Sequence, residues 1–330
     1  MTATIDFPAS RPPADRGAGT PAALDDEAFA TMIGRLNRLS VDKHFDAYVD
    51  VPWDDEEFAL SPTDERLRLP AIDPLSTSDW VRAQPAETRS LVALYRFAAC
   101  MKIGWHFENL LQRGLLILAF RTPNGAPEFR YLNHEIIEES QHSLMFQELV
   151  NRSGLPVRGM ARSWRFLAEV VVPPIARRLP GLFFLLVLGG EDPVDHLQKA
   201  MLREGIDHPL IERVMRIHVT EEARHLSFAR QMLKRDVPDG PRAQRLLLTI
   251  AGPLVLGVMA RMMLVPPADL CAHTGLPKAE VTKAFRTPQG KRLLADSVGK
   301  TRKLWAELGL MPRWIRPLWK LVGLAELPPA

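Results

Sequence analysis

Cysteine is almost absent from this chain: Cys100 and Cys271 are the only two among 330 residues. Two cysteines cannot build a disulfide framework or a cysteine-rich metal site, so a reducing, cytoplasmic setting is expected. Residues 1–23 contain no basic start followed by an apolar stretch. The sequence therefore predicts no secretory signal peptide.

Long apolar runs and an excess of basic charge are also lacking. The longest uncharged apolar stretch is Leu246–Ala260, with 15 residues, whereas a membrane-spanning helix needs roughly 20. We therefore predict a buried helix here and no membrane span. Lys and Arg number 42 against 39 Asp and Glu, a net charge of +3, with no dense basic run. This balance argues against a nucleic-acid partner.

No useful stretch alternates polar and apolar residues as a strand would, and the sequence predicts an all-α protein. Residues 1–24, rich in Pro, Ala and Thr, are expected to form a disordered tail. Residues 25–330 are expected to form one helical-bundle domain with a metal-binding core at about 86–235. Within it, Asp25–Pro85 carries a short helix (Asp26–Leu39) and reads as a wrapping segment.

Breaks at Pro and Gly divide the rest of the chain into long helical segments. Met160–Leu179 is expected to be a helix interrupted at Pro173-Pro174, and shorter helical pieces follow Pro266-Pro267. The five long segments are Ala86–Arg121, Glu128–Asn151, Gly181–Glu204, Pro209–Arg235 and Arg242–Leu264.

Two of these segments carry the same short motif, Glu-x-x-His. Glu139 precedes His142 by three residues, and Glu222 precedes His225 by three. Residues three apart lie on one face of a helix, so a carboxylate and an imidazole can reach the same metal ion. One such pair is weak evidence, but two on separate helices are typical of di-metal carboxylate bundles. In those bundles each of the other two helices contributes one Glu.

The remaining core segments offer one good Glu each. Glu108 is flanked by apolar residues in the middle of the first segment, where a carboxylate without a cationic partner is costly to bury. Glu191 follows the apolar run of the third segment, and Asp195, one turn later, is a reserve ligand. Pro193 is expected to distort this helix.

The fourth segment adds a third histidine. His218 lies four residues before Glu222 and therefore shares a helix face with Glu222 and His225. Glu221 is expected to point elsewhere, about 100° around the helix. Glu135 and Glu138 are alternatives to Glu139 but lack its three-residue spacing to His142.

A mixed carboxylate and imidazole donor set without thiolate suits Fe or Mn, and Zn less well. Two ferrous ions can together supply two electrons to O₂, while the protein supplies position and dryness. We expect Glu139 and Glu222 to bridge the ions and Glu108 and Glu191 to be terminal. His142 is assigned to one ion, and His218 with His225 to the other.

From about Trp53 to Arg230 the sequence resembles the p-aminobenzoate N-oxygenase family, non-haem di-iron proteins of the ferritin-like superfamily. The most specific match is the third histidine, in His218-x-x-x-Glu222-x-x-His225. The resemblance implies a ferritin-like bundle, two iron ions, a homodimer, an external electron donor, and O₂-dependent oxidation of an amine toward hydroxylamine or nitro. The ligand set that it implies is Glu108, Glu139, His142, Glu191, His218, Glu222 and His225.

Several other protein classes share part of this pattern. A ferritin-like iron-oxidising or storage protein would use the same carboxylates, but the extensions and His218 argue against it. A ribonucleotide reductase radical subunit resembles this chain less, because Phe146 stands where such subunits keep a tyrosine, one turn after His142. A soluble acyl desaturase lacks the third histidine, a di-iron oxidase acting on a C–H bond stays open, and a metal-free scaffold would leave seven ligand-type residues idle.

Overall fold

The computed structural model describes residues 24–325, and within them it contains helices and no strand. The predicted 1–24 tail thus lies, except for Leu24, outside the described residues. The α-helices are α1 (Asp26–Asp42), α2 (Asp79–Arg82), α3 (Ala86–Arg121), α4 (Glu128–Ser153), α5 (Arg162–Arg178), α6 (Pro180–Glu204), α7 (Pro209–Asp236), α8 (Arg242–Leu264), α9 (Ala268–Thr274), α10 (Lys278–Arg286), α11 (Pro288–Ser297), α12 (Gly299–Glu307) and α13 (Arg316–Leu321).

The centre of the molecule is a bundle of α3, α4, α6 and α7. Helix α3 packs along α4, α6 packs along α7, and the two pairs meet through α3–α6 and α4–α7 contacts. Helix α5 covers α3 and α6, and α8 covers α6. The predicted all-α, ferritin-like bundle is confirmed. The extent of a single domain over 25–330 stays a prediction.

Two glycines allow α3 and α6 to approach closely. A Cβ on Gly114 would lie 2.0 Å from the ring of Phe183, and a Cβ on Gly190 would lie 2.0 Å from the ring of Phe107. Any other residue at either position would have to displace a buried aromatic ring. Each ring therefore occupies the space that the missing side chain leaves on the opposite helix.

The expected interruption of a helix at Pro173-Pro174 is wrong. Helix α5 runs through Pro173 and Pro174, and α6 is continuous through Pro193. A helical proline removes a bond to the carbonyl four residues earlier. In α5 those carbonyls belong to Glu169 and Val170, which are exposed, so water can take over the lost bonds.

Helix α8 contains the apolar stretch Leu246–Ala260. Among the described residues, Arg242–Thr274 is the one helical region long and apolar enough to qualify as a membrane span by length and composition, and 56% of its most apolar window is buried. A core helix passes the same test, so this is weak evidence for a span. The absence of a membrane span stays a prediction.

The segment before α3 wraps the bundle, as predicted. Helix α1 packs on α4 and α7, and the backbone N–H groups of Phe45 and Ala47 donate to the side chains of Glu221 and Gln141. Nearer the start of α3, Asp73 of the same segment forms a buried ion pair with the guanidinium of Arg96, at 3.0 Å. The wrapping segment is therefore tied to the helices that carry the Glu-x-x-His motifs.

Candidate metal centre

Six of the seven predicted ligands converge inside the bundle in two overlapping groups. The ligand atoms of each group lie within 4.8 Å of one another, and every residue in them is buried. His142 and Glu222 belong to both groups. The first group is Glu108, His142, His218 and Glu222, and the second is Glu139, His142, Glu222 and His225.

His142 and His225 present the same ring nitrogen to the interior. His142 Nδ1 lies 3.0 Å from Glu139 and 3.6 Å from Glu222. His225 Nδ1 lies 2.9 Å from each of the same two carboxylates. Glu139 and Glu222 thus stand between the two imidazoles, where bridging carboxylates would be needed for a pair of ions.

The outer nitrogens of these histidines are held by a crossed pair of carboxylates. His142 Nε2, on α4, donates to Glu221 of α7 at 2.9 Å. His225 Nε2, on α7, donates to Glu138 of α4 at 2.7 Å. Arg224 joins the two acceptors, lying 2.9 Å from Glu138 and 3.4 Å from Glu221. Such outer partners fix the orientation of a metal-binding imidazole and raise its basicity.

The His218 ring presents its other nitrogen, Nε2, to the interior. Its Nδ1 donates to Gln198 Oε1 at 2.7 Å, which leaves the Nε2 lone pair facing the interior. Nε2 lies 3.7 Å from both Glu108 and Glu222 and has no hydrogen-bond partner among residues 24–325. A buried nitrogen in this state fits a metal ligand, because a cation would satisfy it.

Glu191, the seventh predicted ligand, lies outside both groups. It is buried, and its Oε1 has no hydrogen-bond partner among the described side chains and backbone. Its pKa is raised by burial and then by the charges of Glu222 and Glu139, which places it near the cluster. Glu135 is a second such carboxylate, fully buried with both oxygens unpartnered in the described part of the chain.

Packing so many acids together controls their protonation. Burial, and then the neighbouring Glu139, raises the pKa of Glu108 well above its usual range. Burial opposes ionisation of Glu139 as well, but His225 and His142 outweigh it and lower the pKa of Glu139. Cation binding would displace protons from the raised carboxylates, so the cluster has the donor set and the unmet charge that fit metal ions.

The pKa values of the histidines likewise shift in opposite directions. Burial lowers the pKa of His142, yet its contacts with Glu139 and Glu221 raise it overall to about 10. His218 is hydrogen-bonded to the neutral Gln198 side chain instead, and burial followed by the His142 charge lowers its pKa well below the usual value. In the metal-free chain the neutral form of His218, which is the form that binds a metal, is therefore favoured, whereas metal binding at His142 and His225 would displace a proton.

Three expectations require correction. Glu221 does not point away from the cluster; it is fully buried and bonds to His142 on the neighbouring helix. Asp195, the reserve ligand, is paired with Lys199 and Lys300. The geometry also separates His218 from His225, which fall in different groups, whereas the sequence assigned them to one ion.

The sequence interpretation did not identify two residues that hold the ligand imidazoles, Gln198 and Glu138. Gln198 lies seven residues after Glu191, two turns along α6, so a search for polar residues on that face would have found it. The pairing of Glu138 with His225 carries no signal within one helix, because the partners come from α4 and α7. The repeated Glu-Glu-x-x-His pattern, Glu138-Glu139-x-x-His142 and Glu221-Glu222-x-x-His225, was the available clue.

Comparison with known proteins places this site in a family. The protein-family model described as P-aminobenzoate N-oxygenase AurF matches residues 26–309. The match extends beyond both ends of Trp53–Arg230, the region in which the sequence resembles this family. The uncharacterized proteins Rv0885 of Mycobacterium tuberculosis and Mb0909 of Mycobacterium bovis are each 41% identical to this chain over 307 residues, covering 92% of it and 90% of their own length. This chain belongs to the p-aminobenzoate N-oxygenase AurF family.

Proposed function

We propose that the protein is an O₂-dependent di-iron oxygenase that oxygenates the nitrogen of a small, arylamine-like substrate to a hydroxylamine or nitro product. The observation that carries this proposal is the third imidazole, His218, added to a di-metal donor set within a family named for N-oxygenation. The proposed ligands are Glu108, Glu139, His142, Glu191, His218, Glu222 and His225. Iron is the preferred metal, with manganese as the alternative.

The iron pair would supply the electrons for O₂, and residues around the ligands would hold the three imidazoles in position. Glu221 and Glu138 would hold the rings of His142 and His225, and Gln198 would hold that of His218. Burial of the whole cluster excludes bulk water, which strengthens every charge interaction within it. An external electron donor, a homodimer and a cytoplasmic location are part of the proposal.

Measurement of the metal content and analysis of the product together test the proposed N-oxygenation. Chain expressed with iron should bind about two ions, and after anaerobic reduction it should incorporate ¹⁸O from O₂ into the nitrogen of an arylamine. Uptake of many more irons would favour the storage alternative, and label found on carbon would favour C–H oxidation. Either result would overturn N-oxygenation.

His218 gives the sharpest variant. His218→Ala should abolish amine oxidation while circular dichroism stays helical, because the residue is expected to serve the metal and not the fold. His273→Ala, at an exposed histidine of α9, is the control and should retain activity. Full activity of His218→Ala would refute the seven-ligand site.

A further inference from the structure

A cavity of about 310 Å³ lies between α3, α5, α6 and α8. Every side chain that lines it is apolar. Its inner wall is built from buried residues of α3 and α6, among them Leu111 and Val187, and its outer rim from Leu167 of α5 and Leu254 of α8. The rim residues are 48% and 44% exposed, so the cavity opens to the surface between α5 and α8. The volume is that of a small-ligand site.

The inner wall adjoins the candidate metal centre. Leu111 follows Glu108 by three residues on α3, and Val187 precedes Glu191 by four on α6. Residues at these spacings share a helix face, so the faces that carry the two carboxylates continue into the cavity wall. Phe107 also lines the cavity, and its ring fills the space beside Gly190, next to Glu191.

The lining also determines which ligands the cavity can accept. Among the described residues that line it, none is charged, and the indole N–H of Trp164 is the one hydrogen-bond donor of their side chains. Arg165, the arginine of α5 closest in sequence to the rim residue Leu167, turns to His106, donating to its Nε2 at 3.4 Å. A carboxylate placed in the cavity would lose its water without gaining a cationic partner, and a single indole N–H does not offset that cost.

We propose that this cavity binds the body of the substrate and selects a neutral, apolar amine over one that carries a carboxylate such as 4-aminobenzoate. The amine end lies against the inner wall, one helical turn from Glu108 and Glu191 along α3 and α6, and the apolar end faces the rim between α5 and α8. The inference rests on the proposed function in naming the ligand a substrate. The binding site itself is argued from the cavity alone.

Calorimetric titration of the full chain, metal-free and iron-loaded, tests this with two matched anilines. 4-Butylaniline and 4-aminobenzoate share the aniline and differ in the para group, apolar in one and anionic in the other. We expect 4-butylaniline to bind roughly tenfold more tightly or better. Equal affinity, or tighter binding of 4-aminobenzoate, would overturn the proposal. So would failure to bind either aniline, as expected if a second copy of the chain covers the rim.

Variants on the two rims locate the site. Leu167→Arg and Leu254→Arg each place a cation at the cavity mouth and should weaken the preference for 4-butylaniline at least severalfold. Phe166→Arg and Leu246→Arg are the controls, since both residues are exposed on the same helices and lie outside the lining. These controls should leave the preference unchanged. An equal effect of rim and control variants would overturn the assignment.

Product analysis separates this inference from the proposed function. If 4-butylaniline binds with the expected rim dependence but the reduced iron-loaded protein never oxygenates a bound aniline, the proposed function fails and the binding site stands. If 4-aminobenzoate is N-oxygenated in preference to 4-butylaniline, the proposed function stands and the neutral selectivity fails.

Discussion

The bundle interior and the cavity beside it share two helices, α3 and α6, but differ in chemistry. In the bundle, Glu108 of α3 belongs to a buried cluster of acids and imidazoles, and the buried Glu191 of α6 lies near that cluster. One turn away on those helices, Leu111 and Val187 line a cavity without a charged side chain. The first region has unmet charge and fits cations, whereas the second cannot solvate a charge and fits a neutral body. One helical turn, about 3.6 residues, therefore separates the two regions along the same face of each helix.

The largest effect is expected from the carboxylate shared by both ligand groups. Glu222→Ala removes a donor from each group, so the iron content should fall from about two ions per chain to nearly none. Elemental analysis of the purified chain measures this. Glu212→Ala, at a half-buried glutamate of the same helix that pairs with Arg216 and belongs to neither group, should keep its iron. Normal iron content in Glu222→Ala would mean that the cluster is not the metal site.

A smaller effect is expected at the crossed outer carboxylates. Glu221→Ala leaves His142 Nε2 without its acceptor, and loss of an outer partner typically weakens metal binding roughly 10–100-fold. Competition with a chelator gives the affinity. Glu221→Gln keeps an oxygen acceptor and should lose less. If both variants bind iron as tightly as the parent chain, the outer pair does not orient the ligands.

The boundary between the two regions depends on Gly190. An added Cβ would lie 2.0 Å from the Phe107 ring, so Gly190→Ala should lower the free energy of unfolding by about 1–3 kcal/mol. Phe107→Leu in the same chain should restore part of the loss. Gly189→Ala is the control, because its Cβ would meet the flexible Met259 side chain at 3.2 Å. Equal destabilisation at Gly189 and Gly190, measured by urea unfolding, would contradict a close packing role for Phe107.

The smallest effect concerns Glu135 and depends on pH. Burial raises its pKa well above the usual 4.5, so the folded metal-free chain holds a proton that the unfolded chain releases. Stability from this group is present below about pH 4.5 and is lost as pH rises toward the raised pKa, by up to about 1.4 kcal/mol per pH unit.

Glu135→Gln removes this dependence. Its melting temperature relative to the parent, both metal-free, should therefore increase between pH 5 and pH 8. A difference that shrinks with pH would contradict a buried, protonated Glu135. Iron content sharpens the comparison with Glu191: Glu191→Gln should lose iron and Glu135→Gln should not, and the reverse result would exchange their roles.

The helices and most of the site were predictable because each rests on short-range spacing. Two Glu-x-x-His motifs and His218 share helix faces, and six of the seven predicted ligands converge as expected. The errors arose where neighbouring helices decide the outcome. Glu221 lies about 100° from the ligand face of its own helix, yet α4 brings His142 to it. Continuity through Pro173 likewise depends on the exposure of α5, which local propensity does not include.

By itself the sequence determined the helical class, the positions of most breaks between helices and the identity of the acids and imidazoles on each face, since these depend on residues a few positions apart. Only the tertiary structure decided which histidine shares a group with which carboxylate, and that Glu138 and Glu221 cross between helices. It also created the apolar cavity between α3, α5, α6 and α8. Contacts and cavities between helices depend on how segments far apart in the sequence pack against each other, and the spacing of residues within one helix does not determine that packing.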